Sequence, residues 1–387
     1  MLLHLKPLFI VLLHFYHINI SQASEHKQQV IVGYVPEYRT GIDWNFYSQY
    51  VTDLILFSVE PLPDGDLKPY FPIDDEGPDS TLITAHRARN ATIGSSHLPL
   101  DMQSTGIRLL LCVGGAGRSS NFPVVTSTKL KRLHFINNLI DTIKLRNLQG
   151  IDFDWEVPSN RKELQQYQLL IQEAVPLFHS HHLIVTATLH AWQDLGQETY
   201  VAIDRIHLMS YDGRGTTHSS YETAIMDIEN LQKKGCPLST IVLGVPFYGR
   251  GITNPNHVLT YNDLVEKVGA DLDPTKDILG TGKNSIGFNN ILTIQKKMKY
   301  CINKGLSGIF AWEIGQDSST IETSLTKAIS DVRLGIKRRK RYQKQDPTKD
   351  KRFKKAKENF DKKKKERKNK KKKKKKRRIK RNFNTEL

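Results

Sequence analysis

Residues 150–156 read Gly-Ile-Asp-Phe-Asp-Trp-Glu, with an acid at every second position of an otherwise apolar strand. A strand alternates its side chains, so Asp152, Asp154 and Glu156 point to one face, and Ile151, Phe153 and Trp155 to the other. Three carboxyl groups along a buried face are costly, because desolvation and like charge raise one another's pKa values. A solvated edge strand would tolerate them. It would not explain the Trp on the opposite face, or the Val157-Pro158 pair that ends the run. The pattern reads as catalytic.

Seven further runs rich in aliphatic and β-branched residues surround this one, at 31–35, 54–60, 108–115, 183–190, 205–212, 241–249 and 308–314. Most are apolar throughout, as expected of parallel strands covered on both faces. Helical patterns lie between several of them, at 129–145, 162–178, 221–234 and 291–304. A last amphipathic segment carries Ile321, Leu325, Ala328, Ile329 and Val332. This alternation predicts an α/β fold, a (β/α)8 TIM barrel, with an open doubly wound sheet as the other arrangement. The strands end in Glu60, Gly114-Gly115, Asp154/Glu156, His190, Tyr211-Asp212, Tyr248-Gly249 and Trp312-Glu313. Barrel enzymes build their sites at such C-terminal strand ends.

The net charge of +18 is unevenly placed. Residues 336–387 hold 29 Lys or Arg against 6 Asp or Glu, so the other 335 residues carry a net of −5. A mildly acidic body therefore precedes a basic segment too self-repelling to bury a core, which predicts disorder over 336–387. At the other end, Lys6 precedes an apolar run from Leu8 to Phe15, followed by Ser21-Gln22-Ala23. That order predicts a signal peptide over 1–23 and a secreted, extracellular protein. The run is too short for a transmembrane segment, and none is expected elsewhere. Asn90-Ala91-Thr92 is then a glycosylation sequon, placed in a polar loop.

Three cysteines, Cys112, Cys236 and Cys301, make neither a disulfide framework nor a metal site, and no metal or other cofactor is implied. Cys236 and Cys301 precede the seventh and eighth strands and would lie at the same end of neighbouring barrel units. A Cys236–Cys301 disulfide is expected from that placement, with Cys112 a buried thiol.

The chain resembles the family 18 glycoside hydrolases, the chitinase family, over about residues 30–335. Gly150, Asp152, Asp154 and Glu156 match the family's Asp-Gly-x-Asp-x-Asp-x-Glu signature. Val113-Gly114-Gly115 looks like its Ser-x-Gly-Gly element, and Met209-Ser210-Tyr211-Asp212 like its Met-x-Tyr-Asp. Gly244–Arg250 and Phe310–Asp317 are similar to its seventh and eighth strands. The resemblance implies one catalytic domain over 26–335, a monomer acting as an endo-chitinase on chitin or N-acetylglucosamine oligosaccharides.

The chemistry that the resemblance implies can be assigned residue by residue. Glu156 is the acid that protonates the leaving oxygen, which burial and the neighbouring Asp154 favour. The substrate's own 2-acetamido group replaces a nucleophilic carboxylate. Asp154 would hold the acetamido N–H, Tyr211 its oxygen, and Asp152 would share a proton with Asp154. Trp312 reads as the apolar floor beneath the sugar, or as a packed core Trp. Tyr34, Phe57 and Met209 surround the ring, Phe57 and Met209 reading equally as barrel core. Gly114 and Gly115 line the site, and Asp212 binds substrate or caps its strand.

Three departures from the family pattern stand out. Gln149 replaces the signature's first acid, where an amide can serve the same hydrogen bonds. Val157 stands where relatives carry an aromatic. Residues 252–307 look short for the α+β insertion that walls a deep groove, so an open cleft suited to internal cuts is expected. A silent glycan-binding relative, or an endo-β-N-acetylglucosaminidase acting on N-linked glycans, are the alternatives; the intact Glu156 favours an enzyme.

For the basic segment, residues 337–381 are read as an anchor to extracellular polyanions, against a solvated linker or a nucleic-acid segment. Truncation after Gly335 should then spare turnover of short oligosaccharides but shift elution from an anionic column to lower salt, since screening acts over about 8–10 Å. Co-elution of the two forms would remove the anchoring role.

Overall fold

The computed structural model describes residues 28–69, 81–213, 217–268, 273 and 275–336. The expected signal peptide at 1–23 and the basic segment at 337–387, including its 337–381 anchor, lie outside these residues.

Eight strands form one closed parallel sheet: β1 (Val30–Pro36), β2 (Asp53–Pro61), β3 (Arg108–Gly114), β4 (Gly150–Asp154), β5 (Ile184–His190), β6 (Arg205–Met209), β7 (Ile241–Pro246) and β8 (Gly308–Trp312). Each pairs with its sequence neighbour, and β1 pairs with both β2 and β8, for example Val32 with Asp53 and Val30 with Gly308. Closure removes both sheet edges and decides for the (β/α)8 barrel over the open sheet. Strands β3, β4, β6, β7 and β8 end one to three residues earlier than the apolar runs suggested. At those points the chain leaves the ladder and turns outward, carrying Glu156, Tyr211 and Glu313 to the mouth.

The helices start where the local chemistry says they should. Thr128, Asn160, Ser220, Asn290 and Ser324 each accept a hydrogen bond from the backbone N–H three residues on, heading helices Lys129–Leu145, Arg161–Ser180, Tyr221–Lys233, Ile291–Lys304 and Leu325–Arg333. Their buried faces pack on the outside of the barrel, while Val30, Val32, Tyr34, Ile55, Leu110, Cys112, Val242 and Phe310 fill its inside. At the floor, buried Asp53 pairs with Arg108 (2.8 Å) and Arg205 (3.1 Å). Burial alone would raise its carboxyl, but the two guanidinium groups hold it below the usual range.

Helix Thr81–Ala91 has no clear apolar stripe and was not legible as a helix. Asn90 lies in its last turn rather than in a polar loop. Asn90 is exposed, but Thr92 is buried, its hydroxyl donating to Arg89 O (2.7 Å) and accepting from Ile107 N (3.0 Å).

The segment after β7 is also fuller than its length implied. Strands Tyr248–Gly251, Val258–Thr260, Ile278–Leu279 and Ile286–Gly287 form a small antiparallel sheet, with helix Tyr261–Val268 following the second of them. Gly249 permits their close packing, since a Cβ there would stand 2.6 Å from Ile286 and 2.9 Å from Leu264. A reduced α+β insertion is therefore present.

The expected Cys236–Cys301 disulfide is not formed; all three cysteines are free and buried. Cys236 follows helix Tyr221–Lys233 with its Sγ turned to Pro237 O at 3.8 Å, whereas Cys301 faces the core from helix Ile291–Lys304. Burial pushes both thiols up to about 12. A disulfide reagent should modify no cysteine in the folded protein and all three after denaturation in guanidinium. Two fewer reactive thiols under non-reducing denaturation would restore the disulfide.

Candidate active site

Strand β4 carries its acids from the barrel interior to the mouth. Asp152 is wholly buried, Asp154 is 3 % exposed and Glu156 is half-buried. The opposite face does what a structural strand does: Trp155 stacks on Phe122 (4.9 Å, 10° between planes), and Phe153 O accepts the Tyr167 hydroxyl at 2.9 Å.

Asp152 is surrounded by donors. Thr186 donates to Oδ1 at 2.5 Å, Thr188 to Oδ2 at 3.0 Å and Tyr34 to Oδ2 at 2.9 Å. Burial raises its carboxyl to about 6 despite these bonds. His207 Nδ1 lies 3.4 Å from Oδ1 and 2.7 Å from the Tyr34 hydroxyl; burial lowers this imidazole to about 3, so it is a neutral partner. Asp154 has the opposite situation. Its Oδ1 is buried with no hydrogen-bond partner, and burial, then the charges of Glu156 and Asp152, hold the carboxyl well above the ordinary range. Glu156 is raised by burial and by Asp212, against a hydrogen bond from the Ala116 backbone. The outermost carboxyl is thus set up to hold a proton.

Gly114 and Gly115 adopt φ of +100° and +94°. Their lack of side chains is needed twice: a Cβ on Gly114 would stand 2.3 Å from Asp154 O, and one on Gly115 2.3 Å from the Phe57 ring. Gly115 N donates to Asp154 O at 2.6 Å. Ser119 closes the arrangement, donating to Gly115 O (3.0 Å) and accepting from Glu156 N (3.0 Å). A cavity of about 380 Å³ opens against Glu156 between Ser119, Pro123, Val157 and Glu163.

The aromatic residues separate into two groups. Trp312 is half-buried at the end of β8, edge-to-face with Phe57 at 4.7 Å and with Tyr34 behind it at 5.6 Å. Tyr34 is only 1 % exposed, and its hydroxyl serves Asp152, so it supports the site from beneath rather than forming its surface. Phe57 and Met209 are likewise buried in the inner barrel cluster, and Tyr211 and Trp312 pack against that cluster from the mouth. Tyr211 sets its ring edge against Phe310 at 6.1 Å and Tyr248 at 6.4 Å.

Asp212 takes a left-handed φ of +59°, which Asp tolerates better than most residues. Its carboxylate accepts from Tyr248 Oη (2.6 Å) and Arg250 Nε (2.9 Å), tying the mouth to the insertion sheet. Burial would raise it, but bonds from His218 and Tyr248 and the charge of Arg250 hold it below the ordinary value. Gln149, at the entry to β4, accepts from Leu109 N (3.0 Å) and donates to Asn147 O (2.7 Å), so an amide does serve here as a strand tie.

Ser119, Thr186, Thr188 and His207 were not singled out from the sequence. Thr186, Thr188 and His190 alternate on β5 as the acids do on β4, and that period-2 polar face was the available signal. Gly115→Ala should lower stability by about 1–3 kcal/mol from the left-handed backbone alone, with displacement of Phe57 in addition. Chemical denaturation measures this, and an unchanged midpoint would remove the close-approach argument.

Residues 31–317 match the model of the glycosyl hydrolases family 18. A probable chitinase 2 of Drosophila melanogaster is 24 % identical over 272 residues, covering 54 % of this chain and 56 % of that protein. The chain therefore spans little more than half the length of this relative. Among solved structures, a family 18 chitinase from the chitin utilization locus of Flavobacterium johnsoniae superposes with a TM-score of 0.65 at 24 % identity, covering 80 % of this chain and 96 % of that one. A mutant chitinase of Cycas revoluta, in complex with a tetramer of N-acetylglucosamine, gives 0.64 at 20 % identity, with 78 % and 99 % covered.

Proposed function

The chain belongs to the glycosyl hydrolases of family 18, and on that premise we propose that it cleaves β-1,4-linked N-acetylglucosamine polymers with retention, using the substrate's acetamido group as nucleophile. The observation that carries this reading is the contrast along β4. Asp152 is saturated with donors, Asp154 keeps a buried oxygen without one, and Glu156 is held towards its protonated form at the mouth. A buried carboxyl oxygen with no donor among the described residues suits a substrate N–H, and an acetamido group supplies one.

In the first step Glu156 gives its proton to the glycosidic oxygen while the acetamido oxygen attacks the anomeric carbon, forming an oxazolinium-like ring as the leaving sugar departs. Asp154 accepts the acetamido N–H and, with the proton it shares passing to Asp152, balances as a carboxylate the positive charge that develops there. Tyr211 donates its hydroxyl to the acetamido oxygen, and Trp312 supports the apolar face of the ring. In the second step the Glu156 carboxylate takes a proton from water, which opens the ring on the face the leaving group had occupied. The configuration is retained, and Glu156 is again protonated.

Internal cleavage of flexible chains remains part of the reading on the sequence argument. Secretion and anchoring through the basic segment 337–381 remain part of the reading on the sequence argument and its salt-elution test.

Glu156→Gln keeps the shape of the site and removes the acid. It should leave oligosaccharide binding nearly intact and lower turnover by about 10²-fold or more, since general acid catalysis supplies about 10²–10⁴-fold. Chitin oligosaccharides, their deacetylated counterparts and a high-mannose glycopeptide separate the alternatives when assayed with the purified protein. Cleavage of the first alone is expected; equal cleavage of the deacetylated chain would remove substrate assistance. Binding without turnover by the wild type would make the protein a lectin-like relative, and preference for the glycopeptide an endo-β-N-acetylglucosaminidase.

A further inference from the structure

Lys297 sits in the middle of helix Ile291–Lys304 and is 0 % exposed. Among the described residues no carboxylate lies within ion-pair distance of it. Its Nζ instead meets three neutral acceptors: Ser219 O at 2.9 Å, Ser219 Oγ at 2.8 Å and Asn289 Oδ1 at 2.8 Å. The Asn289 amide is oriented from both ends, because its Nδ2 donates to Ser219 O at 2.7 Å. Ser219, with its oxygen occupied by the ammonium, spends its own proton on Ser210 O at 2.6 Å. Ser210 stands between Met209 and Tyr211, and its hydroxyl in turn donates to Asp227 Oδ2 at 2.6 Å. One line of hydrogen bonds thus connects a buried ammonium to the backbone that presents Tyr211.

We infer that Lys297 is a positioning residue: through Ser219 its ammonium holds the 209–212 segment in place, and loss of its proton releases that segment. The reason lies in donor counting. An ammonium has three donors and no acceptor, which matches the three acceptors around it. A neutral amine has two donors and a lone pair. The lone pair has to face one of the three oxygens. Where it faces Ser219 Oγ, the hydroxyl turns its proton to Nζ and abandons Ser210 O; where it faces Asn289 Oδ1 or Ser219 O, the clamp on Ser219 loses one of its bonds. The first change leaves Ser210 O, on the buried backbone beside Tyr211, without its donor, which is costly, and the second loosens the residue that supplies that donor.

The proton is available to be lost. Burial lowers Lys297 to about 7, opposed by the charges of Asp277, Asp227 and Glu222, which face it from the insertion and helix Tyr221–Lys233, with the Cys301 thiol on its own helix. Asp277 is itself engaged with Asn290 N and Thr293 Oγ1. At the segment itself, Tyr248, Arg250 and His218 stand against Asp212, and Asp227 against Ser210. The effect on turnover rests on the role of Tyr211 proposed above; the link between Lys297 and the segment does not.

The test uses the full chain labelled with 15N-tyrosine, with the Tyr211 amide identified by its loss in Tyr211→Phe. Followed from about pH 5 to about pH 9, the wild-type Tyr211 amide should pass through a transition near 7 that vanishes in Lys297→Met. Ser219→Ala leaves the lysine in place but cuts its bond to Ser210. It should also lose the transition, and it keeps the inference testable should Lys297→Met fail to fold. A wild-type amide with no transition overturns the inference, as does one whose transition survives in the variants, which would then belong to another group. In the same variants kcat on N-acetylglucosamine oligosaccharides should fall by up to about 10²-fold with little change in KM, as expected of a displaced group. An abolished amide transition with unchanged kcat would leave Lys297 in its positioning role and overturn the role of Tyr211 instead.

Discussion

The burial of two carboxyl groups on β4 is the constraint around which the barrel mouth is organised. A carboxyl moved from water into a dry interior must gain donors or keep its proton. Asp152 gains Tyr34, Thr186 and Thr188, drawn from β1 and β5 on either side of the barrel interior. Asp154, one pleat further out, gains none at Oδ1 and lies between two other acids. Neighbouring groups with the same chemistry are thereby pushed to different protonation behaviour, as an acid/base site requires. Gly114 and Gly115 belong to the same solution, since only bare Cα atoms let β3 turn so close to Asp154 and Phe57.

Around that centre, the loops of the mouth are tied down by charged side chains. Glu313 is buried at the end of β8 and held by Arg39 at 2.6 Å and by Gly315 N. Glu37 and Arg118 pair beside the Phe57 ring. Asp212 reaches across to Arg250, and Lys297 holds Ser219 from behind. Removing Arg39 would leave the wholly buried Glu313 carboxylate without its counter-charge, a loss of the kind that typically costs about 3–5 kcal/mol. These ties restrain the loops of the mouth, as a site that must hold a ligand in one orientation requires.

Much of this was legible in the chain before any coordinates. Alternation placed the three acids of β4 on one face and Trp155 on the other, and the apolar runs located all eight strands. Where the reading stopped short, the cause was physical. Strand ends were overshot because apolar residues at the mouth pack on the inner cluster after leaving the ladder. The helix at 81–91 was missed because its stripe is weak, and the insertion was underestimated because its strands are only two to four residues long. The disulfide expected between Cys236 and Cys301 assumed that adjacent barrel units bring equivalent positions together. Both thiols are buried in the outer core, yet they remain free.

Local periodicity and residue type therefore determined the fold class, the strand that bears the chemistry and the residue at its outer end. Those follow from side-chain alternation and from the cost of burying charge, which act within a few residues of the chain. Which carboxyl would be satisfied and which left wanting was decided only by tertiary structure. The donors to Asp152 come from residues 34, 186 and 188, far from β4 in sequence and brought within 3.0 Å by barrel closure. The same holds for Tyr34, which residue type marked as a sugar contact but which closure turned inward. It holds too for Lys297, an unremarkable lysine on an amphipathic helix until packing placed its ammonium against Ser219.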